Sequence, residues 1–287
     1  MKKIGIIGTG LIGGSYALAL KQAGDYRIYA FDTRPAHLQT ALDNGLADEP
    51  LKDEHWAEMD GIILAVPVDV LPRLAGEILD KTAGKTWVFD TGSTKSGLAR
   101  QLKSHPERRR FVLSHPIAGT EYSGPQAARA DLFQGKINIV CNAGESGEYW
   151  LNKVLRLHES LGMTNHFLDA AEHDKHIAYV SHLSHVSSFL LGKTVMDVER
   201  DERNIFLMAG SGFASTVRLA KSSPDTWTPI FMENRESLLE VLRSYIENLN
   251  NFATLLEQNK SEEIKNLLKE INRIGKIIDG INNGKQR

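Results

Sequence analysis

The chain has 287 residues, one cysteine and a net charge of −2 spread over interleaved basic and acidic side chains. That length holds about two domains, and the near-neutral balance excludes a nucleic acid or an anionic membrane as the principal partner. The lone Cys141 excludes an internal disulfide framework or a thiolate metal cluster and reads as a small buried hydrophobe. No signal-peptide pattern opens the chain and no apolar run approaches the ~20 residues of a membrane span, so a soluble protein of the reducing cytoplasm is expected.

Short β-type runs alternate with helical patterns up to residue 168: Lys3–Ile7, Arg27–Phe31, Gly61–Val66, Thr86–Asp90, Phe111–Leu113, Ile137–Cys141 and His166–Leu168. Apolar strands alternating with helices predict a doubly wound sheet of parallel strands joined by crossover helices. After Asp169 every pattern is helical: Ala170–Val198, a segment near Asn204–Ser222, Thr228–Gln258 and Ser261–Ile278. The expected division is therefore an α/β domain over 1–168 and an all-helical domain over 169–287. In the third helical segment Leu238, Leu242, Tyr245, Leu249, Phe252 and Leu256 form an apolar stripe. A helix of that length spans over about 40 Å, more than one small domain needs, so a homodimer through these helices is expected, with a self-contained bundle as the alternative. The last residues, 282–287, read as frayed.

Gly8-Thr9-Gly10-Leu11-Ile12-Gly13 follows the first strand and precedes a helix over Gly13–Ala23. The strand–turn–helix setting is what turns a G-x-G-x-x-G string into a dinucleotide-binding loop. Gly8 serves the tight turn, Gly10 leaves room for the pyrophosphate, Gly13 lets helix and strand approach, and the helix N-terminus favours the phosphates. Asp32, closing the second strand, is placed to accept the ribose hydroxyls and repel a 2′-phosphate, which favours NAD over NADP. Arg34 either stacks on adenine or reaches a 2′-phosphate. Ala65-Val66-Pro67 ends its strand so as to flank the cofactor with apolar backbone, with Pro67 in the contact set.

Two further strand ends carry polar residues. Asp90-Thr91-Gly92-Ser93-Thr94-Lys95 makes a small polar turn in which Ser93 either caps the next helix or offers its hydroxyl to substrate or nicotinamide. Ser114 to Gly124, S-H-P-I-A-G-T-E-Y-S-G, follows Phe111–Leu113, and Pro116 stops the strand. His115 thus stands at the carboxyl end of a strand, where ligands of open α/β sheets collect. It is either a proton acceptor or a histidine satisfied within a loop.

G-T-G-L-I-G-G-S, D-T-G-S-T-K, S-H-P-I-A-G-T-E-Y-S-G, the S-H-L-S-H of Ser181–His185 and G-S-G-F-A-S-T-V-R-L-A-K-S-S-P-D-T-W of Gly210–Trp227 occur together, in order, over nearly the whole chain. In this combination the chain resembles the prephenate/arogenate dehydrogenases of tyrosine biosynthesis. The resemblance implies an NAD-dependent oxidative decarboxylation of prephenate to 4-hydroxyphenylpyruvate. It makes His115 the catalytic histidine that takes the proton of the ring 4-hydroxyl, and Ser93 the serine that keeps hydroxyl and histidine in register. It makes His185 a substrate-seating histidine, with His182 nearby as a structural neighbour, and Arg218 the binder of a substrate carboxylate. Glu121 corresponds to the acid that pairs with this arginine and gates the pocket. Trp227 corresponds to an aromatic near the site, from the same chain or across a dimer. Thr120 and Gln126 join the substrate set. The family often carries an acid where this chain has Ser215.

Arogenate differs from prephenate by an ammonium, which an acid after Gly124 would favour; Pro125-Gln126-Ala127-Ala128 is uncharged, which points to prephenate. No metal site is implied, and no appended regulatory domain pattern follows the helices. The alternatives are an arogenate dehydrogenase, a β-hydroxyacid dehydrogenase-like reductase that would need Lys or Asp where Ser181-His182-Leu183 stands, and an NAD sensor without turnover.

Overall fold

A computed structural model describes residues 1–199 and 205–284. Its backbone divides into two compact units, Met1–Arg235 and Glu236–Arg287.

The first unit is built on strands β1 (Lys2–Ile7), β2 (Tyr26–Phe31), β3 (Glu49–Pro50), β4 (Gly61–Leu64), β5 (Trp87–Asp90), β6 (Phe111–Pro116), β7 (Ile137–Cys141) and β8 (Thr164–Leu168). They form one sheet in the order β3-β2-β1-β4-β5-β6-β7-β8. Helices α1 (Leu11–Ala23), α2 (Pro35–Asp43), α3 (Leu71–Lys81), α4 (Ser96–Leu102) and α5 (Glu148–Ser160) supply the connections. Neighbouring residues of a strand serve opposite faces: Val88 packs with Ile62, Leu64 and Leu98, whereas Phe89 packs with Ile63, Tyr16 and Val154. Both faces are covered, as continuous apolar strands require.

The expectation of wholly parallel strands is corrected at one place: β7 runs antiparallel to β6. No crossover helix lies between them, only a loop with one short turn at Pro125–Ala127, so the chain returns in the opposite direction. The same pairing carries β6 past its expected stop, with His115 opposite Ile139 and Pro116 opposite Asn138. His115 therefore sits inside a hydrogen-bonded strand. The two-residue β3 was not foreseen; its Pro50 is tolerated because the strand lies at the sheet edge.

The expected single helix Ala170–Val198 is α6 (Ala170–Ile177), a π turn over Ala178–His182 and α7 (Leu183–Glu199). Asn204, the start of the next expected segment, lies outside the described residues; that segment holds α8 (Ser211–Thr216) and a short turn over Arg218–Lys221. The long helix Thr228–Gln258 is two helices, α9 (Pro224–Glu233) and α10 (Arg235–Glu257), divided at Asn234, which caps α9 with non-helical backbone (φ −105°, ψ 30°) while its side-chain amide donates to the Asp174 carbonyl oxygen.

In the second unit α10 is followed by α11 (Ser261–Ile271) and α12 (Arg273–Gly284), which split the expected Ser261–Ile278 at Asn272. Residues 285–287 of the expected frayed end lie outside the described residues. The stripe of α10 is graded: Leu238 is buried, whereas Leu249 and Leu256 are 52% and 55% exposed, as are Ile274 and Ile277 of α12 at 57% and 62%. Among the described residues no helix is long and apolar enough to cross a membrane.

Candidate active site

The three glycines of the first loop do different work. Gly8 has φ +91°, and a Cβ there would lie 2.2 Å from the Ala65 carbonyl oxygen; a Cβ on Gly13 would lie 1.9 Å from that of Gly8. Around Gly10 nothing stands within 4 Å of a Cβ. Gly10 is also the N-cap of α1, which has no side-chain cap and no acid in its first turn. Open space beside the free N–H groups of a helix start suits a pyrophosphate. Leu11 and Ile12 pack inward on the core.

Thr9 is buried and donates from both its backbone N and its hydroxyl to Oδ2 of Asp32, each at 2.8 Å. The Arg34 backbone N donates to Oδ1 at 2.9 Å. The Asp32 carboxylate is thus held at the end of β2. The Arg34 side chain is exposed, 3.7 Å from Asp225. Pro67, exposed, and half-buried Val66 follow β4. These residues fit a dinucleotide: a glycine gap, a helix start and a carboxylate at the ribose position.

Behind the ends of β5 and β6 lies a buried polar network. Nδ1 of His115 is 2.8 Å from Nε2 of His173, and Nδ1 of His173 is 2.8 Å from Oδ1 of Asp174. The Asp174 carboxylate accepts from the backbone N of Lys95 and of Ser96, at 2.8 and 2.7 Å. Burial pushes Asp174 up, but the bonds from His173 and Ser96 outweigh it and hold the carboxyl below its usual range. Burial, then the neighbouring His173 and Lys95, push His115 well below an ordinary histidine. Lys95, fully buried, donates to the equally buried Asp90 and to the Ser114 carbonyl oxygen at 2.6 Å. Asp90 in turn accepts from the Ser114 backbone N at 3.1 Å, so this ion pair holds β6 on both sides of Ser114.

Sequence reasoning missed His173, Asp174, Lys95, Asp90 and Asn234. A signal existed: Ala170, His173, Asp174 and Ile177 are the buried residues of α6, at the spacing of a core-facing stripe, so two of its four places are polar. One of the roles offered for Ser93 needs correction. It does not cap α4, whose N-cap is Lys95 and whose first N–H groups go to Asp174. Among the described residues the half-buried Ser93 hydroxyl has no hydrogen-bond partner, and it is His173 that bonds His115.

The helical elements complete the cluster. His185 is buried, bonds the Ser181 carbonyl oxygen through Nδ1 at 3.0 Å, and stacks on Trp227 with ring centroids 3.3 Å apart. Trp227 reaches His185 within one chain, so no second copy is needed for that contact. The Ser188 hydroxyl accepts from the Ala220 backbone N and donates to the Thr216 carbonyl oxygen, fastening the turn that carries Arg218 to α7. Arg218 is exposed and ion-paired with Glu121 at 3.8 Å. Thr120 is exposed and accepts from the Tyr122 backbone N at 3.2 Å; Gln126 is exposed, and Ser215 likewise.

Residues 16–165 match the sequence model described as the nucleotide-binding domain of prephenate dehydrogenase, and residues 169–270 the one described as its dimerization domain. The prephenate dehydrogenase of Lactococcus lactis is 33% identical over 97% of this chain and 78% of its own length. The cyclohexadienyl dehydrogenase of Zymomonas mobilis is 30% identical over 94% and 93%. Among solved structures, prephenate dehydrogenase from Aquifex aeolicus, in complex with hydroxyphenyl propionate and NAD+, matches with a TM-score of 0.87 at 31% identity, covering 95% of this chain and 96% of that one. With its sheet order, glycine loop and buried histidine in place, the chain belongs to the prephenate dehydrogenase family.

Proposed function

We infer that the chain is an NAD-dependent dehydrogenase that converts prephenate to 4-hydroxyphenylpyruvate and CO2, with residues 1–168 serving the cofactor and 169–287 the substrate and a homodimer. The observation that carries the residue assignment is the His115–His173–Asp174 line. An ionised Asp174 only accepts, so the proton of His173 is on Nδ1; its Nε2 then accepts from Nδ1–H of His115. That leaves Nε2 of His115 with a free lone pair, and burial keeps it unprotonated near neutral pH.

NAD, when bound, would supply the acceptor for the hydride that leaves C4 of the ring. Gly10, Leu11, Ile12 and Gly13 would hold its pyrophosphate at the start of α1, with Gly8 and Thr9 shaping the turn and Thr9 fixing the Asp32 carboxylate that would take its ribose; Arg34, Pro67 and Ser93 would border it. His115 accepts the proton of the 4-hydroxyl at Nε2, and His173, backed by Asp174, stabilises the imidazolium that forms. Loss of the ring carboxylate as CO2 leaves an aromatic product, which makes the step irreversible. Arg218 binds a substrate carboxylate through its fork of donors. Glu121 gates that arginine, His185 and Trp227 seat the ring, and Thr120 and Gln126 line the rim. Prephenate is favoured over arogenate because Glu121 already answers Arg218, and no acid follows Gly124 in residues 125–128 to hold an ammonium. The exposed apolar residues of α10 and α12 support the dimer, and a cytoplasmic setting belongs to the same reading.

Purified protein is assayed with prephenate and with arogenate, each with NAD and NADP. NADH and CO2 from prephenate are expected; absence of both at neutral pH overturns the assignment, and a higher kcat/KM with arogenate reassigns the substrate.

A further inference from the structure

The π turn that interrupts the helix between α6 and α7 ends at His182, and such turns gather at functional sites. His182 is fully buried, its ring edge-on to Trp227 with centroids 6.0 Å apart. Its Nδ1 lies 3.1 Å from Nδ2 of Asn234, which also donates to the Asp174 carbonyl oxygen at 2.7 Å. A carbonyl oxygen only accepts, so the amide group facing it is the NH2, and its second hydrogen goes to His182. Nδ1 of His182 therefore accepts, and the ring proton resides on Nε2. That Nε2 is buried without a hydrogen-bond partner, a state native proteins rarely leave uncompensated.

Asn234 also ties His182 to the backbone of Asp174, whose side-chain carboxylate carries the line on through His173 to His115. One end of the line, Nε2 of His115, carries a free lone pair; the other, Nε2 of His182, carries a free N–H. We propose that His182 is a substrate-binding residue whose Nε2–H donates to an oxygen on the reacting ring of the substrate, opposite the base His115. Burial lowers His182 to about 4, so this donor is neutral across the working range and adds no charge beside His115. The inference rests on the prephenate dehydrogenase reading.

Two substitutions separate a donor from a structural histidine. His182→Asn keeps an acceptor where Nδ1 meets Asn234 and loses the outer donor; His182→Gln places an N–H near Nε2 and gives up the Asn234 contact. With NAD present, binding of hydroxyphenyl propionate is titrated for the wild type and both variants, alongside thermal unfolding and NADH binding. We expect His182→Asn to unfold near the wild-type temperature, bind NADH normally and bind the probe about tenfold or more weakly, with His182→Gln binding it more tightly than His182→Asn. Wild-type-like probe binding by His182→Asn, or the reverse order of the two variants, overturns the proposal. Should either variant fail to fold, ring-nitrogen NMR of the wild type decides: the His182 Nε2–H resonance shifts on probe addition, and an unmoved resonance overturns it. A wild type inactive on prephenate condemns the functional reading; an active wild type with an unaffected His182→Asn condemns this inference alone.

Discussion

Nε2 of His173 stands 2.8 Å from Nδ1 of His115, across 58 residues of chain and from a different element of the fold. This contact decides which nitrogen of His115 is free for chemistry. Removing the proposed base, His115→Asn, is expected to lower kcat by about 10²- to 10⁴-fold while hydroxyphenyl propionate still binds. Single-turnover measurement of NADH formation beside a binding titration checks both halves.

Asp174→Asn tests the line behind the proposed base. An amide N–H turned to Nδ1 of His173 would reverse both tautomers and put a proton on Nε2 of His115, so kcat is expected to fall at least about tenfold with the KM for prephenate little changed. The carboxylate also binds the N–H groups of Lys95 and Ser96, so a stability loss of about 1.5–3 kcal/mol accompanies it, read by denaturant unfolding.

Because His115 titrates below the ordinary value of 6.5, kcat/KM should stay level from about pH 8 down to that value and fall only in more acid solution. Stability follows the same sign. Burial takes His158 to about 3 and His182 to about 4, so below about pH 6.5 the unfolded chain binds protons that the native state refuses. Their contribution is complete above about pH 6.5 and is lost progressively toward those folded values, by up to about 1.4 kcal/mol per pH unit for each histidine. Melting temperatures recorded across that range should fall with acid, and less steeply in His158→Gln.

Gly10 and Gly13 should part company on substitution by alanine. Gly10→Ala meets nothing within 4 Å, so its unfolding should match the wild type while NADH affinity, read by fluorescence, drops. Gly13→Ala drives a methyl into the Gly8 carbonyl oxygen and should destabilise the fold by about 1–3 kcal/mol or more.

Arg218→Lys keeps the charge and gives up the fork. The KM for prephenate is expected to rise roughly tenfold, with a smaller change in kcat, because a single ammonium replaces two parallel bonds to a carboxylate. Steady-state kinetics in both parameters test this, and an unchanged KM removes Arg218 from the carboxylate site.

Strands, glycine loop and Asp32 were legible in the chain because each obeys a local rule: apolar runs of strand length, a turn that needs Gly8 at positive φ, an acid at the end of the next strand. His115 was legible as a candidate too, through the motif around it. The antiparallel β7 was not, since strand direction depends on how residues 117–136 travel and leaves no mark on the periodicity of Ile137–Cys141. Nor were the breaks at Ala178–His182 and Asn234. Helix period counts apolar spacing, whereas Asn234 caps α9 at ψ 30° while its side-chain amide bonds the Asp174 carbonyl oxygen and His182, partners far away in the chain.

By itself the sequence determined a layered α/β fold with a dinucleotide loop, a helical second half and a histidine near the carboxyl end of a strand, all consequences of short-range pattern. Only the tertiary structure decided what that histidine touches. Lys95, Asp90, His173 and Asp174 are polar residues in buried places, and a buried polar group persists only where distant partners meet its hydrogen bonds. Those partners lie up to 79 residues away along the chain, as Lys95 does from Asp174, and packing alone brings them together.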